Sequence, residues 1–178
     1  MFSLAIREDA VLRPLAPWHA EEFAAHMDRA REHIRPWVGA SFVTEGVEGA
    51  RTLIGKYGER AAQGTGGLYG LWRAGTLVGG TLDFNAAGGS IEVGCWLEPA
   101  AVGGGLITDA CTAQLNWIFG ERGLHRAEWH CRADNVPSAA VARRLGMTLE
   151  GTIRENWEFE GARYDTQIWA VLAPEWKK

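Results

Sequence analysis

The chain is poor in cysteine, with three in 178 residues, Cys95, Cys111 and Cys131. None stands in a CxxC or Cys/His ligand spacing, which argues against a zinc site, and no other metal-ligand pattern stands out. An odd count fits a reducing compartment, so a cytoplasmic location is expected. Positive charge is in short supply, with 18 Lys and Arg against 22 Asp and Glu, a net charge of -4 and a pI near 5.7. Without a basic field, neither nucleic acid nor an anionic membrane is an expected partner. No apolar run reaches the roughly 20 residues of a bilayer-spanning helix, and the opening MFSLAIREDAVLRPL lacks the apolar centre of a signal peptide. No Gly-Lys-Ser/Thr follows any glycine cluster, which removes the P-loop nucleotide hydrolases. No linker or repeat divides the sequence, so a single domain over 1–178 is expected.

Tryptophan and glycine are plentiful, at nine and 23. Residues 3–15 alternate loosely and predict a strand or hairpin. Pro17 opens a helix with Phe23, Met27, Ala30 and Ile34 at helical spacing, and Pro36 ends or bends it. Thr44 is the expected N-cap of a second helix whose face carries Val47, Ala50, Ile54, Tyr57 and Ala61, with Gly64 to Gly67 closing it. Three strands follow at 68–72, 77–84 and 91–97. A helix from about Leu106 to Gly120 comes next, then a strand at 125–132, a short helix at 136–145 with Asn135 before it, and two final strands at 147–159 and 163–172. Antiparallel strands precede a β-α-β crossover, so the fold class is α+β with a mixed sheet, not a doubly wound one.

The stretch AAVGGGLITDA places Gly103, Gly104 and Gly105 at the mouth of a helix. Such a turn leaves backbone N–H groups unpaired and aligned with the positive end of the helix dipole, and glycine permits the backbone angles of an anion nest. Gly103 to Ile107 would supply the donors for a phosphate. A flexible turn is the plainer alternative.

That loop sits in a wider pattern. EVGCWLEPAAVGGGLITDA, FGERGLHRAEWHCRADNVPSAAVARRLGMTLEG and YDTQIWAVLAPEW, together with HIRPWV near the N-terminus, resemble the GNAT acyltransferases of the RimJ/RimL type, the ribosomal-protein alanine N-acetyltransferases. The resemblance covers nearly the whole chain. It implies a mostly antiparallel central sheet with helices on both faces and a splayed strand pair that receives acyl-CoA. It also implies direct transfer of an acetyl group from acetyl-CoA, the co-substrate, to a primary amine, with no metal. The glycine loop would cradle the CoA diphosphate through Gly103, Gly104, Gly105, Leu106 and Ile107, and the pantetheine arm would pair with Cys95, Trp96 and Leu97. The family's leading Arg/Gln is replaced here by Val102 and its small last residue by Ile107.

The family tyrosine acid falls on Ala142, so the acid or sulfur-contact role passes by resemblance to Ser138, with Asn135 touching the CoA arm; helix capping is the structural alternative for both. An ammonium must lose a proton before it attacks, and a carboxylate is the usual base. Glu92, Glu155 and Glu158 are the candidates. Gapless alignment puts the family's glutamate on Trp157, one residue from Glu158, and a one-residue offset changes the face unless a bulge intervenes. Trp37 and Trp157 would wall the acceptor site. The acceptor is then a small-molecule or aminoacyl-nucleotide-like amine, or a protein N-terminus. A homodimer is expected by resemblance alone. A CoA-binding regulator without catalysis is the alternative that the missing tyrosine and loop arginine would suit.

Overall fold

The computed structural model describes residues 3–177. Its elements run β1 (Leu4–Arg7), β2 (Ala10–Pro14), α1 (Ala20–Ile34), α2 (Gly46–Ala62), β3 (Gly67–Arg73), β4 (Thr76–Ala87), β5 (Ser90–Leu97), α3 (Leu106–Gly120), β6 (Arg126–Arg132), α4 (Val136–Arg144), β7 (Thr148–Phe159) and β8 (Ala162–Leu172). The eight strands form one sheet in the order β1-β2-β3-β4-β5-β6-β8-β7. Every neighbouring pair is antiparallel except β5 and β6. The helix between those two is the crossover that a parallel pair requires.

Helices cover both faces. On one face Phe23, Met27 and Ala30 of α1 meet Ala50, Ile54 and Tyr57 of α2 over Leu68, Trp72 and Trp96. On the other, Cys111, Leu115 and Ile118 of α3 and Ala139 and Ala142 of α4 lie on Ile91, Val93, Ala127, Trp129 and Trp169. Burying each large apolar side chain in these layers contributes roughly 1.5–3 kcal/mol. Period-2 alternation on β5 and β6 therefore sends Ile91, Val93, Ala127 and Trp129 one way and Glu92, Glu128 and His130 the other.

Three local expectations change. Pro17 opens a 3₁₀ turn, Pro17–His19, and the α-helix proper starts at Ala20. Thr44 does not cap α2: the N-cap is Glu45, no side chain bonds there, and the Thr44 hydroxyl is buried without a partner. Gly46, at φ 63°, delays the first helical turn past the reach of Thr44. β4 continues beyond Phe84 to Ala87, with Asn85 at φ 57° in an irregularity, so the turn to β5 shrinks to Gly88 and Gly89.

The parallel pair is short. β5 and β6 match only from Ser90↔Arg126 to Glu92↔Glu128, whereas β4 stays paired with β5 as far as Gly79↔Leu97. Beyond Glu92 the β6-facing edge of β5 is free, and the sheet opens there. Gly80 on β4 keeps the region tight: a Cβ would fall 2.3 Å from the Trp96 ring and 2.1 Å from the Tyr69 carbonyl oxygen, so only glycine lets that indole lie across β4.

Candidate functional site

The opening between β5 and β6 leads into a cavity of about 1120 Å³ that runs from the glycine loop to α1 and α2. At one end Gly103 and Gly105 take φ 96° and 74°, and Gly105 is the N-cap of α3 with no side chain bonded to the helix start. The first-turn N–H groups thus lack intrahelical acceptors. The Thr108 hydroxyl beside them lines the cavity, buried and unpartnered. These groups fit an anion with several acceptor oxygens. Arg7 holds the loop from outside, donating to the Gly104 carbonyl at 2.8 Å and to Asp109 from Nε at 2.8 Å.

Behind the loop lies a buried polar chain. Trp96 donates from Nε1 to His26 Nε2 at 3.0 Å, His26 Nδ1 lies 3.3 Å from Glu98, and Arg29 donates to Glu98 at 2.9 Å. Because Trp96 donates to Nε2, the His26 proton sits on Nδ1 and points to Glu98. Glu98 precedes the 3₁₀ turn Pro99–Ala101 that leads into the glycines, so α1 anchors both the Trp96 ring and the loop entry. Burial, with Arg29, pulls the His26 pKa below its ordinary value, against Glu98.

On the face that carries α1 and α2, Glu92 and Glu128 are register partners, and His130 spans them. Its Nδ1 is 3.4 Å from Glu92 and its Nε2 is 3.0 Å from Glu128. A neutral imidazole has one N–H, so it can donate to one of the two carboxylates at a time, and the contact with Glu128 is the hydrogen-bonded one. Burial pushes the Glu92 carboxyl above the usual range, with His130 working against it. Arg126 hydrogen-bonds Glu128 and Glu150, holding Glu128 below the usual range and carrying the charged ladder outward to the surface.

At the start of α4 the Asn135 side chain caps the helix by accepting from the Ser138 N–H at 3.1 Å. Ser138 is therefore not the cap. Its hydroxyl accepts from Trp129 Nε1 at 2.9 Å and also bonds with the Cys131 thiol. Cys131 and Ser138 both line the cavity, and burial pushes the Cys131 thiol up while its contact with Ser138 opposes this.

Of the residues singled out in the sequence, Glu92, Ser138, Asn135, Cys95, Trp96, Leu97, Gly103, Gly105, Leu106, Ile107, Trp37 and Trp157 all line this one cavity. Gly104 does not; its carbonyl is turned to Arg7. Glu155 and Glu158 also lie outside. Between Ile153↔Thr166 and Trp157↔Tyr164 three residues of β7 face one of β8. Glu155 sits in this bulge at φ 51°, exposed, its N–H donating to Asp165. The bulge precedes Trp157, so Trp157 turns to the cavity while Glu158 pairs with Arg163 at 2.9 Å on the surface. Trp18 is 81% exposed and does not line the cavity, and Trp72 is core. Sequence reasoning missed Arg7, His26, Glu98, His130 and Thr166. For His130 a signal existed: Glu128-x-His130 shares a strand face with Glu92 once β5 and β6 are paired.

Comparison with known proteins bears on this geometry. Residues 9–148 match the family described as acetyltransferase (GNAT) domain. The chain is similar to the putative ribosomal N-acetyltransferase YdaF of Bacillus subtilis (strain 168), at 27% identity over 99% of this chain and 98% of that protein. Among solved structures, one described as a probable acetyltransferase superposes with a TM-score of 0.91 at 27% identity, over 99% of both chains. Mycobacterium smegmatis RimJ in complex with CoA-disulfide superposes with a TM-score of 0.88 at 26% identity, covering 95% of this chain and 84% of that one.

Proposed function

The chain belongs to the GNAT acetyltransferases, and from that premise we propose that it moves the acetyl group of acetyl-CoA directly to a primary amine within the cavity between β5 and β6. The observation that carries this reading is the opening itself: a free strand edge from Val93 to Leu97 that ends at a bare helix start. A pantetheine arm suits the free edge, because its amides can pair as a strand's do. A diphosphate suits the bare amides of Gly103 to Ile107. Asn135 and Ser138 then stand near the sulfur, and Glu92 stands on the acceptor side.

Glu92 is the general base in this reading. It takes one proton from the substrate ammonium, directly or through a water, and His130 and Glu128 pass that proton outward. The freed nitrogen forms the C–N bond at the thioester carbonyl as the C–S bond breaks. The departing sulfur takes the Ser138 hydroxyl proton, and the second nitrogen proton, released as the amide forms, returns to the Ser138 oxygen. The acceptor is a protein N-terminus or a small amine, and the whole chain acts as one domain.

The test is transfer of mass. Acetyl-CoA is incubated with the protein and a panel of free-amine peptides and small amines, and each product is weighed. The expected result is a gain of one acetyl group on at least one amine, with free thiol released in equal amount. Binding of acetyl-CoA without transfer to any amine would overturn the reading.

A further inference from the structure

Lysine is scarce in this chain. Of the 18 Lys and Arg only three are lysine, Lys56, Lys177 and Lys178. Two of them close the chain, and the third lines the cavity. Lys56 lies within α2, where Leu53, Lys56, Tyr57 and Arg60 recur at the spacing that places side chains on one helix face, and all four line the cavity. Leu53 and Tyr57 are buried and anchor that face, whereas Lys56 is exposed. The one ion pair among the described residues of α2 joins Glu48 to Arg51, so no carboxylate there holds the Lys56 ammonium.

That turn of α2 stands over the proposed base. Phe84 packs in one apolar layer with Leu53 and Tyr57, and it is the register partner of Glu92 on β5. The Tyr57 hydroxyl senses the same carboxylate: burial raises its pKa, Arg60 opposes the rise, and Asp83 and Glu92 add to it. Lysine carries its amine on a flexible four-carbon stem. An ammonium rooted next to Tyr57 and free of any partner is therefore drawn toward Glu92 and Glu128, which face each other across β5 and β6. An amine tethered in the wall of a cavity that receives an acetyl thioester meets that thioester at a high effective concentration.

We propose that Lys56 is a site of self-acetylation: the protein transfers an acetyl group from bound acetyl-CoA to its own Lys56 Nζ. This rests on the acetyltransfer reading above and adds an internal acceptor to it. Glu92 takes one proton from the ammonium. The freed Nζ forms the C–N bond at the thioester carbonyl as the C–S bond breaks. The sulfur leaves with the Ser138 proton, and the second Nζ proton returns to the Ser138 oxygen. The products are an Nε-acetyl-lysine and the free CoA thiol. The side chain loses its charge, which leaves Arg60 as the one cation on the cavity-lining face of α2.

The protein is incubated with acetyl-CoA and no added amine, at several protein concentrations. It is then cut into peptides, and acetylation of Lys56 and of Lys177 is followed by mass. Lys177 is exposed and reports the direct chemical reaction, so the comparison within the parent protein needs no variant. Lys56 is expected to gain acetyl groups roughly tenfold faster than Lys177 or more, at a rate per molecule that does not depend on protein concentration. Glu92→Gln is expected to bring Lys56 down to the Lys177 rate, and urea-unfolded protein to modify both lysines alike. Equal rates at the two lysines in the folded protein would overturn the proposal, as would a Lys56 rate that Glu92→Gln leaves unchanged. So would a rate that rises with protein concentration, since one copy would then be acting on another. If added amines are acetylated while Lys56 is not, self-acetylation fails and the acetyltransfer reading stands; if neither is acetylated, both fail.

Discussion

At the residue scale the account turns on Glu92. It must be ionised to accept a proton, and burial raises its pKa, so kcat/KM for the acceptor is expected to fall as pH drops through a value above the ordinary carboxylate range. A pH–rate profile whose acid limb lies at an unshifted carboxylate value would contradict this. Glu92→Gln is expected to lower kcat by about 10²–10⁴, and His130→Gln by less, with acetyl-CoA affinity kept in both. Arg7 is a positioning residue for the loop. Its side chain is 34% exposed and its partner Asp109 46%, so the effect is modest: Arg7→Gln should raise KM for acetyl-CoA about twofold to fivefold with kcat little changed. An unchanged KM would show that the loop holds its shape alone. The strand face of Glu92 was legible from alternation, whereas Ser138 and the two tryptophans came from the family resemblance. Arg7 was not legible, because its contacts span about a hundred positions and no local pattern points across them.

At the element scale the decisive features are the start of α3 and the divergence of β5 from β6. The first was legible, since three glycines before an apolar run mark a bare helix start. The second was expected only from the family resemblance: the crossover order implies a parallel pair, but the match stops at Glu92, and nothing in the alternation of β5 marks that point. The β7 bulge was also hidden, because its left-handed residue is Glu155 and not a glycine. Its position decides that Trp157, and not Glu158, faces the cavity. Arg132 ties β6 to the loop at Pro36, to Asp134 ahead of α4 and to the Tyr164 ring of β8. Its side chain is 5% exposed while Asp134 is half exposed at 49%, so part of the charge cost is screened. Arg132→Gln is expected to lower unfolding stability by on the order of 2 kcal/mol, read as a shift in urea midpoint at constant slope. A midpoint that does not move would mean that the aromatic layer holds the Trp37 loop unaided.

At the scale of the whole molecule, the order of strands and helices was legible from periodicity and turns, while the place of the cavity was expected from the family resemblance alone. The buried links between layers were not legible, because they join α1 to β5 and to the loop beyond it through His26, Trp96 and Glu98. That link makes a prediction about pH. His26 is buried, faced by Glu98, Arg29 and the Trp96 N–H, and burial lowers its pKa below the ordinary 6.5. Below that value the unfolded ring takes up a proton that the folded ring refuses, so stability should be lost as pH falls beneath about 6.5. Thermal melts across that range should show the decline, and His26→Gln should flatten it; an equal decline in the variant would place its origin elsewhere. The most direct measurement is a crystal structure of the protein with acetyl-CoA. The account predicts the diphosphate against the N–H groups of Gly103 to Ile107 and the pantetheine arm along Val93 to Leu97. A diphosphate bound anywhere else, with those amides left to water, would contradict it.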